Sequence, residues 1–147
     1  MADYDKDFYA WLNHQADLLE NGQLNGLDLD NLIEEVDCMG KRHLHKLESH
    51  VTLLLMHLLK WQYQPSKRQY GHSWETSIRV HRQQAWEVIE KHPSLSGKIM
   101  ELYEENYRQA VKLASIETRI EEDSFPLECP WTFDQVMNED WLPAEST

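Results

Sequence analysis

A chain of 147 residues with 41% apolar side chains and few Gly or Pro suits one globular domain with a real core and argues against wholesale disorder. No apolar run approaches the roughly 18–20 residues of a membrane span. The acidic start Met1-Ala-Asp-Tyr-Asp-Lys-Asp lacks the basic-then-apolar order of a secretion signal, so a cytoplasmic protein is expected, with its two cysteines, Cys38 and Cys129, as free thiols.

The net charge of −12 is unevenly laid out. Residues 1–40 hold one Lys and ten acids, residues 41–82 hold eight Lys or Arg against Glu48 and Glu75, and residues 83–147 hold five cations and fourteen acids. An acidic chain therefore carries a basic centre, and six of its eight histidines (His43, His45, His50, His57, His72, His81) fall in that same block.

Asp3, Asp5 and Asp7 suit a helix N-terminus, and Tyr4, Phe8, Trp11, Leu12 and Leu18 or Leu19 trace one helical face as far as the stop signal Asn21-Gly22. After a turn over Gln23 to Leu27, the stretch from Asp28 to Gln62 reads as one long amphipathic helix. Leu29, Ile33, Val36, Gly40, Leu44, Leu47, Val51, Leu54, Leu58 and Trp61 form its stripe. Asp28 or Asp30 is the candidate N-cap, and the spacing of Asn31 and Glu34 also fits a capping box. Gly40 is the weak point, a place for a kink or for close approach of a neighbouring helix.

Pro65 and Gly71 mark a loop from Gln62 to Ser73, and Ser73 caps a third helix with Trp74, Ile78, Ala85, Val88 and Ile89 inward. Pro93 ends that helix or opens the fourth, which runs to about Thr118 with Ile99, Leu102, Tyr103, Asn106, Ala110, Leu113 and Ala114 inward. Pro126 and Pro130 punctuate the tail, and Thr132-Phe-Asp-Gln135 forms a capping box for a short helix through Met137. Trp131, Phe133, Val136, Trp141 and Leu142 make the tail a docked lid. With no β-type alternation and no internal repeat, the fold expected is an all-α helical bundle of four main helices, the second one long, plus a short C-terminal helix. It is expected as a single domain over residues 1–147, with residues 1–120 as bundle core and 121–147 as the docked tail.

Tyr4-Asp-Lys-Asp-Phe-Tyr-Ala-Trp resembles the opening of the bacterial family known as domain of unknown function 29, and so does Asp28-Leu-Asp-Asn-Leu-Ile-Glu-Glu-Val with Met39-Gly40 behind it. His57-Leu-Leu-Lys-Trp-Gln, Ser73-Trp, Pro93-Ser-Leu and Phe125-Pro-Leu-Glu-Cys-Pro-Trp continue the similarity in the same order over nearly the whole chain. The resemblance implies a helical-bundle fold and carries over no catalytic or binding residue.

The histidines invite a metal, but no pair is spaced by three or four residues, as two ligands on one helix face require, and no Glu-x-x-His occurs. Asp28-Leu-Asp-Asn starts like a calcium loop, yet Ile33 stands at the glycine position and Met39 at the last carboxylate. His57 with Glu34 or Glu35 from separate helices keeps a metal-dependent enzyme as an alternative. There is no phosphate loop and no GxSxG, and Cys38 sits beside Glu34 and Glu35, which disfavours a thiolate. An enzyme is thus the weaker reading, and no catalytic residue, metal ligand or cofactor is assigned.

His43, His50 and His57, seven apart, form one stripe. It is either a boundary whose tips reach water or an acidic helix, or an anion- or proton-responsive surface. The segment from Lys60 to Tyr70, with Arg79 and Arg82, interleaves cations with aromatics. Three readings follow: neutralisation by the first and fourth helices, docking of an acidic protein, or nucleic-acid binding, which the flanking acids disfavour. The reading preferred from sequence is a protein–protein interaction module using His57, Lys60, Trp61, Lys67, Arg68, Trp74, Arg79 and Arg82, with an acidic partner or a second copy.

Overall fold

Helix α1, Phe8–Glu20, starts where Asp7 accepts a hydrogen bond from the Ala10 amide (3.0 Å) and stops at Asn21, with Gly22 in the left-handed region at φ 69°. The computed structural model describes residues 3–70 and 72–143, except the side chains of residues 68–70 and 72. A 3-10 turn, Leu24–Gly26, leads to α2, Leu29–Tyr63, and a second 3-10 segment, Pro65–Tyr70, occupies the stretch expected as open loop. Three further helices follow: α3 is His72–Lys91, α4 is Leu95–Thr118 and α5 is Phe133–Met137. All regular structure among the described residues is helical, so the all-α expectation and the long second helix are both found. No helix among the described residues is long and apolar enough to cross a membrane.

The chain gathers into two compact units, Met1–Arg42 and His43–Thr147, with α2 contributing to both. In the first, Tyr4, Phe8 and Trp11 pack edge-on or stacked, and Trp11 is buried. Its indole Nε1 donates to Asp28 (3.0 Å), as does the Asn31 amide (2.8 Å), while the buried Gln15 accepts from the Asp28 backbone N–H (2.8 Å). Hydrogen bonds from Asn31 and Trp11 hold the Asp28 carboxyl below its usual range, because both stabilise the ionised form. Tyr4 donates to Glu35, a bond that pushes the Tyr4 hydroxyl up to about 12.

The second unit is built around the later part of α2. Leu47, Val51, Leu54, Leu55, Met56, Leu58 and Leu59 are buried in one cluster with Ile78, Ala85 and Val88 of α3 and Ile99, Tyr103, Tyr107, Ala110 and Ala114 of α4. Leu113, expected inward, is 38% exposed, and Tyr107 and Val111 take the buried positions instead. In the tail, Phe125, Trp131, Val136 and Met137 are buried, and Thr132 and Gln135 form the capping box.

Two expectations about α2 are corrected. Its stripe meets the core only from Leu47 onward, since Leu29, Ile33, Val36 and Met39 are each more than half exposed. Gly40 interrupts nothing: α2 runs continuously through it, and a Cβ built there meets no atom within 4 Å. Arg82 is corrected as well. Expected on an exposed surface, it is 3% exposed, and its guanidinium donates to the carbonyls of Val136 (2.8 Å), Glu139 (3.1 Å) and Trp141 (2.9 Å). It holds the tail, which has no ladder of its own to satisfy those acceptors.

Gly40→Ala is therefore expected to stabilise α2 by about 0.5–1 kcal/mol, because glycine in an exposed helix interior costs that much in backbone entropy. A urea midpoint followed by far-UV circular dichroism checks it. Arg82→Ala is expected to cost about 3 kcal/mol by stranding the tail carbonyls, and Arg82→Lys to recover less than half of it, since one ammonium cannot reproduce the fork. Limited proteolysis should then cut the tail first.

Candidate functional site

The spacing of seven along α2 is what assembles this site. His43, His50 and His57 line up beside the apolar face, and two later histidines, His81 of α3 and His92 just past its end, meet them in reverse order, as antiparallel neighbours must. His43 and His92 lie with ring centroids 4.2 Å apart. The Nδ1 atoms of His50 and His81 are 3.2 Å apart, and the His57 ring stacks on His81 at 5.9 Å with 12° between planes. His81 thus touches both His50 and His57.

The His50–His81 contact requires one Nδ1 to carry a proton and the other to be bare. If both rings were protonated, two N–H donors would face each other. Nδ1 of His57 is buried and has no hydrogen-bond partner. Burial pushes all three rings below the ordinary imidazole value, His57 to about 4, with Lys60 and His81 adding to the effect at His57 and His81 and Lys46 at His50. The site is a group of neutral imidazoles at neutral pH.

Lys60 lies one turn further along α2. Its ammonium is 2.7 Å from Glu117 of α4 and 5.1 Å from the centre of the Trp74 ring, and its side chain is only 13% exposed. His57, Lys60 and Trp74 are therefore brought together, joined by His50, His81 and Glu117. The other residues singled out from sequence do not join them. Trp61 packs partly buried against the core, Lys67 is exposed on the 3-10 segment, and Arg79 is exposed with Glu75 3.7 Å away. The Arg68 side chain lies outside the described residues.

Sequence reasoning missed the partners on α3 and at its end. His81 and His92 are eleven residues apart, three helical turns, so they share a face, and that spacing was a usable signal. Arg82 too had a signal: it sits between Ile78 and Ala85 at helical steps of four and three, in the buried stripe of its own helix.

Among the described residues no group of three or more His, Cys, Asp or Glu is arranged to hold a metal ion. Glu35, considered as a ligand, accepts the Tyr4 hydroxyl instead. Cys129 donates to the Tyr103 hydroxyl at 3.3 Å and burial pushes its thiol up, which disfavours a nucleophilic thiolate.

A run of exposed apolar residues lies elsewhere, in the first unit. Leu29, Ile33, Val36 and Met39 follow one another at steps of four, three and three, so they form one apolar face over three turns of α2. Asp30, Glu34 and Asp37 are interleaved with them and exposed.

No curated protein and no solved structure matches the chain. One family model does, over residues 4–142, and its span includes the aromatic start, the long α2, the histidine seam and the docked tail. The chain therefore belongs to the family described as "Domain of unknown function DUF29".

Proposed function

We propose that the protein is a docking module that binds another protein through the apolar face Leu29, Ile33, Val36 and Met39 of α2. The observation that carries this reading is their exposure: Ile33 and Val36 are 65% and 66% exposed although their pattern is that of a buried stripe. Contiguous apolar surface of this kind is costly to leave in water and marks interaction sites in folded proteins. The face sits among Asp30, Glu34, Glu35 and Asp37, in a segment, residues 1–40, with a net charge of −9. A partner helix with an apolar stripe and a Lys/Arg rim complements it, whereas a second copy would bring two acidic faces together.

The basic block offers less. Lys60 is neutralised by Glu117, Arg82 serves the tail and Arg79 lies near Glu75, which leaves Lys67 as its exposed cation without a nearby acid among the described side chains of the eight residues first considered.

Two synthetic amphipathic helices with the same leucine face, one rimmed with lysine and one with glutamate, test the reading by fluorescence anisotropy. The lysine-rimmed peptide is expected to bind the wild type and to bind the Ile33→Asp/Val36→Asp variant at least about tenfold more weakly, a loss of about 1.4 kcal/mol. The variant's circular dichroism should be unchanged, because these side chains are exposed. Equal binding by both proteins, or a wild-type dimer that the variant abolishes in sedimentation velocity, overturns it.

A further inference from the structure

We infer that the seam between α2 and α3 is an acid-sensitive joint, in which proton uptake by the His50–His57–His81 group drives α3 away from α2. The joint lies wholly within residues 43–147, so it stands independently of the docking reading.

The geometry leaves no room for charge. One proton can be shared across the 3.2 Å His50–His81 contact, but a second sets like charges against each other, and the parallel stack adds a third ring with its Nδ1 buried. Among the described residues, the charged groups that act on the cluster come from three helices. From α2 come Lys46 beside His50 and Lys60 beside His57; from α3 comes Glu87; from α4 comes Glu117, which Lys60 already engages at 2.7 Å. Among the described residues none of the three rings has a carboxylate in ion-pair contact, so an imidazolium formed there finds no strong counter-ion. Further along the seam, His43 and His92 line a small cavity of about 100 Å³ with Lys46, Lys91, Glu87 and Val88.

The sign follows from linkage. A histidine in the unfolded or opened chain takes its proton near pH 6.5, whereas burial in the closed seam holds all three rings below that, His57 at about 4. Below about 6.5 the opened form therefore binds more protons than the closed one, and closure weakens steadily as pH falls through that window. Above it the full stability of the seam is present. Opening uncovers apolar surface of both helices, since Ile78, Ala85 and Val88 of α3 share the cluster of Leu54 and Leu58.

Hydrogen exchange of the full chain, read by mass spectrometry and corrected for intrinsic rates, tests this between about pH 7.5 and about pH 5. Amides of α3, and of α2 from residue 43 on, are expected to lose protection at least about tenfold, the population shift that linkage gives for a ring whose proton affinity changes by more than one pH unit. Amides of α1 should shift less than about threefold. His81→Gln removes the ring common to both contacts and is expected to cut the α3 response at least about threefold, with burial of His57 leaving a residual one. His57→Gln, which leaves the His50–His81 pair in place, should roughly halve the response on a logarithmic scale and serves if the first variant does not fold. A wild type without pH response in α3, or a folded His81→Gln or His57→Gln variant that keeps the full response, overturns the inference.

Discussion

Seven side chains between Leu47 and Leu59 leave water almost completely, and each contributes about 1.5–3 kcal/mol relative to exposure. They do not lie on one narrow stripe. Leu54, Leu55, Leu58 and Leu59 cover two adjacent sides of α2, so a single neighbouring helix cannot bury them. α3, α4 and the tail all contribute to the enclosing cluster, and each needs α2 as its apolar surface. The order of elements in residues 43–147 thus answers one constraint: a helix too apolar to be left half covered.

Covering it with a tail that has little regular structure creates a second requirement. Backbone carbonyls drawn against a core must still find donors. α3 and α4 supply them from side chains. Arg82 serves three carbonyls, Trp86 donates to Met137 (2.7 Å), Tyr103 to Trp131 (3.0 Å) and Tyr107 to Pro126 (2.6 Å). Burial drives both tyrosine hydroxyls above their ordinary range, so they stay protonated as donors. The polar residues nearest the core therefore act as the tail's substitute for a hydrogen-bonded ladder.

The helices themselves were legible because their signals are local: Asp7 before Phe8, Asn21-Gly22 as a stop, Thr132 with Gln135. Periodicity also identified the α2 face, but it reports that a face is apolar and not what covers it. Leu29, Ile33 and Val36 carry the same spacing as Leu47, Val51 and Leu54, with opposite outcomes. What separates them is width: residues 53–59 are apolar on several sides, while residues 29–39 alternate with acids. The site was half legible, since the α2 histidines declare their shared face, whereas contact with His81 and His92 depends on how α3 packs. Arg82 was misplaced because charge was weighed above register, although its position between Ile78 and Ala85 already put it in the buried stripe.

The basic centre of the chain gains a different meaning from this placement. A cation-rich block inside an acidic chain suggests an external anion, yet Lys60 and Lys46 stand beside His57 and His50 and lower their affinity for protons. Leucines in the place of these histidines would widen an apolar face that is already hard to cover, and lysines would repel one another across the seam at any physiological pH. Imidazoles avoid both outcomes only while they are neutral, and the neighbouring lysines help keep them so. Lys46 and Lys60 therefore act inward on the helix that carries them, adding to the burial that keeps the rings of the seam neutral.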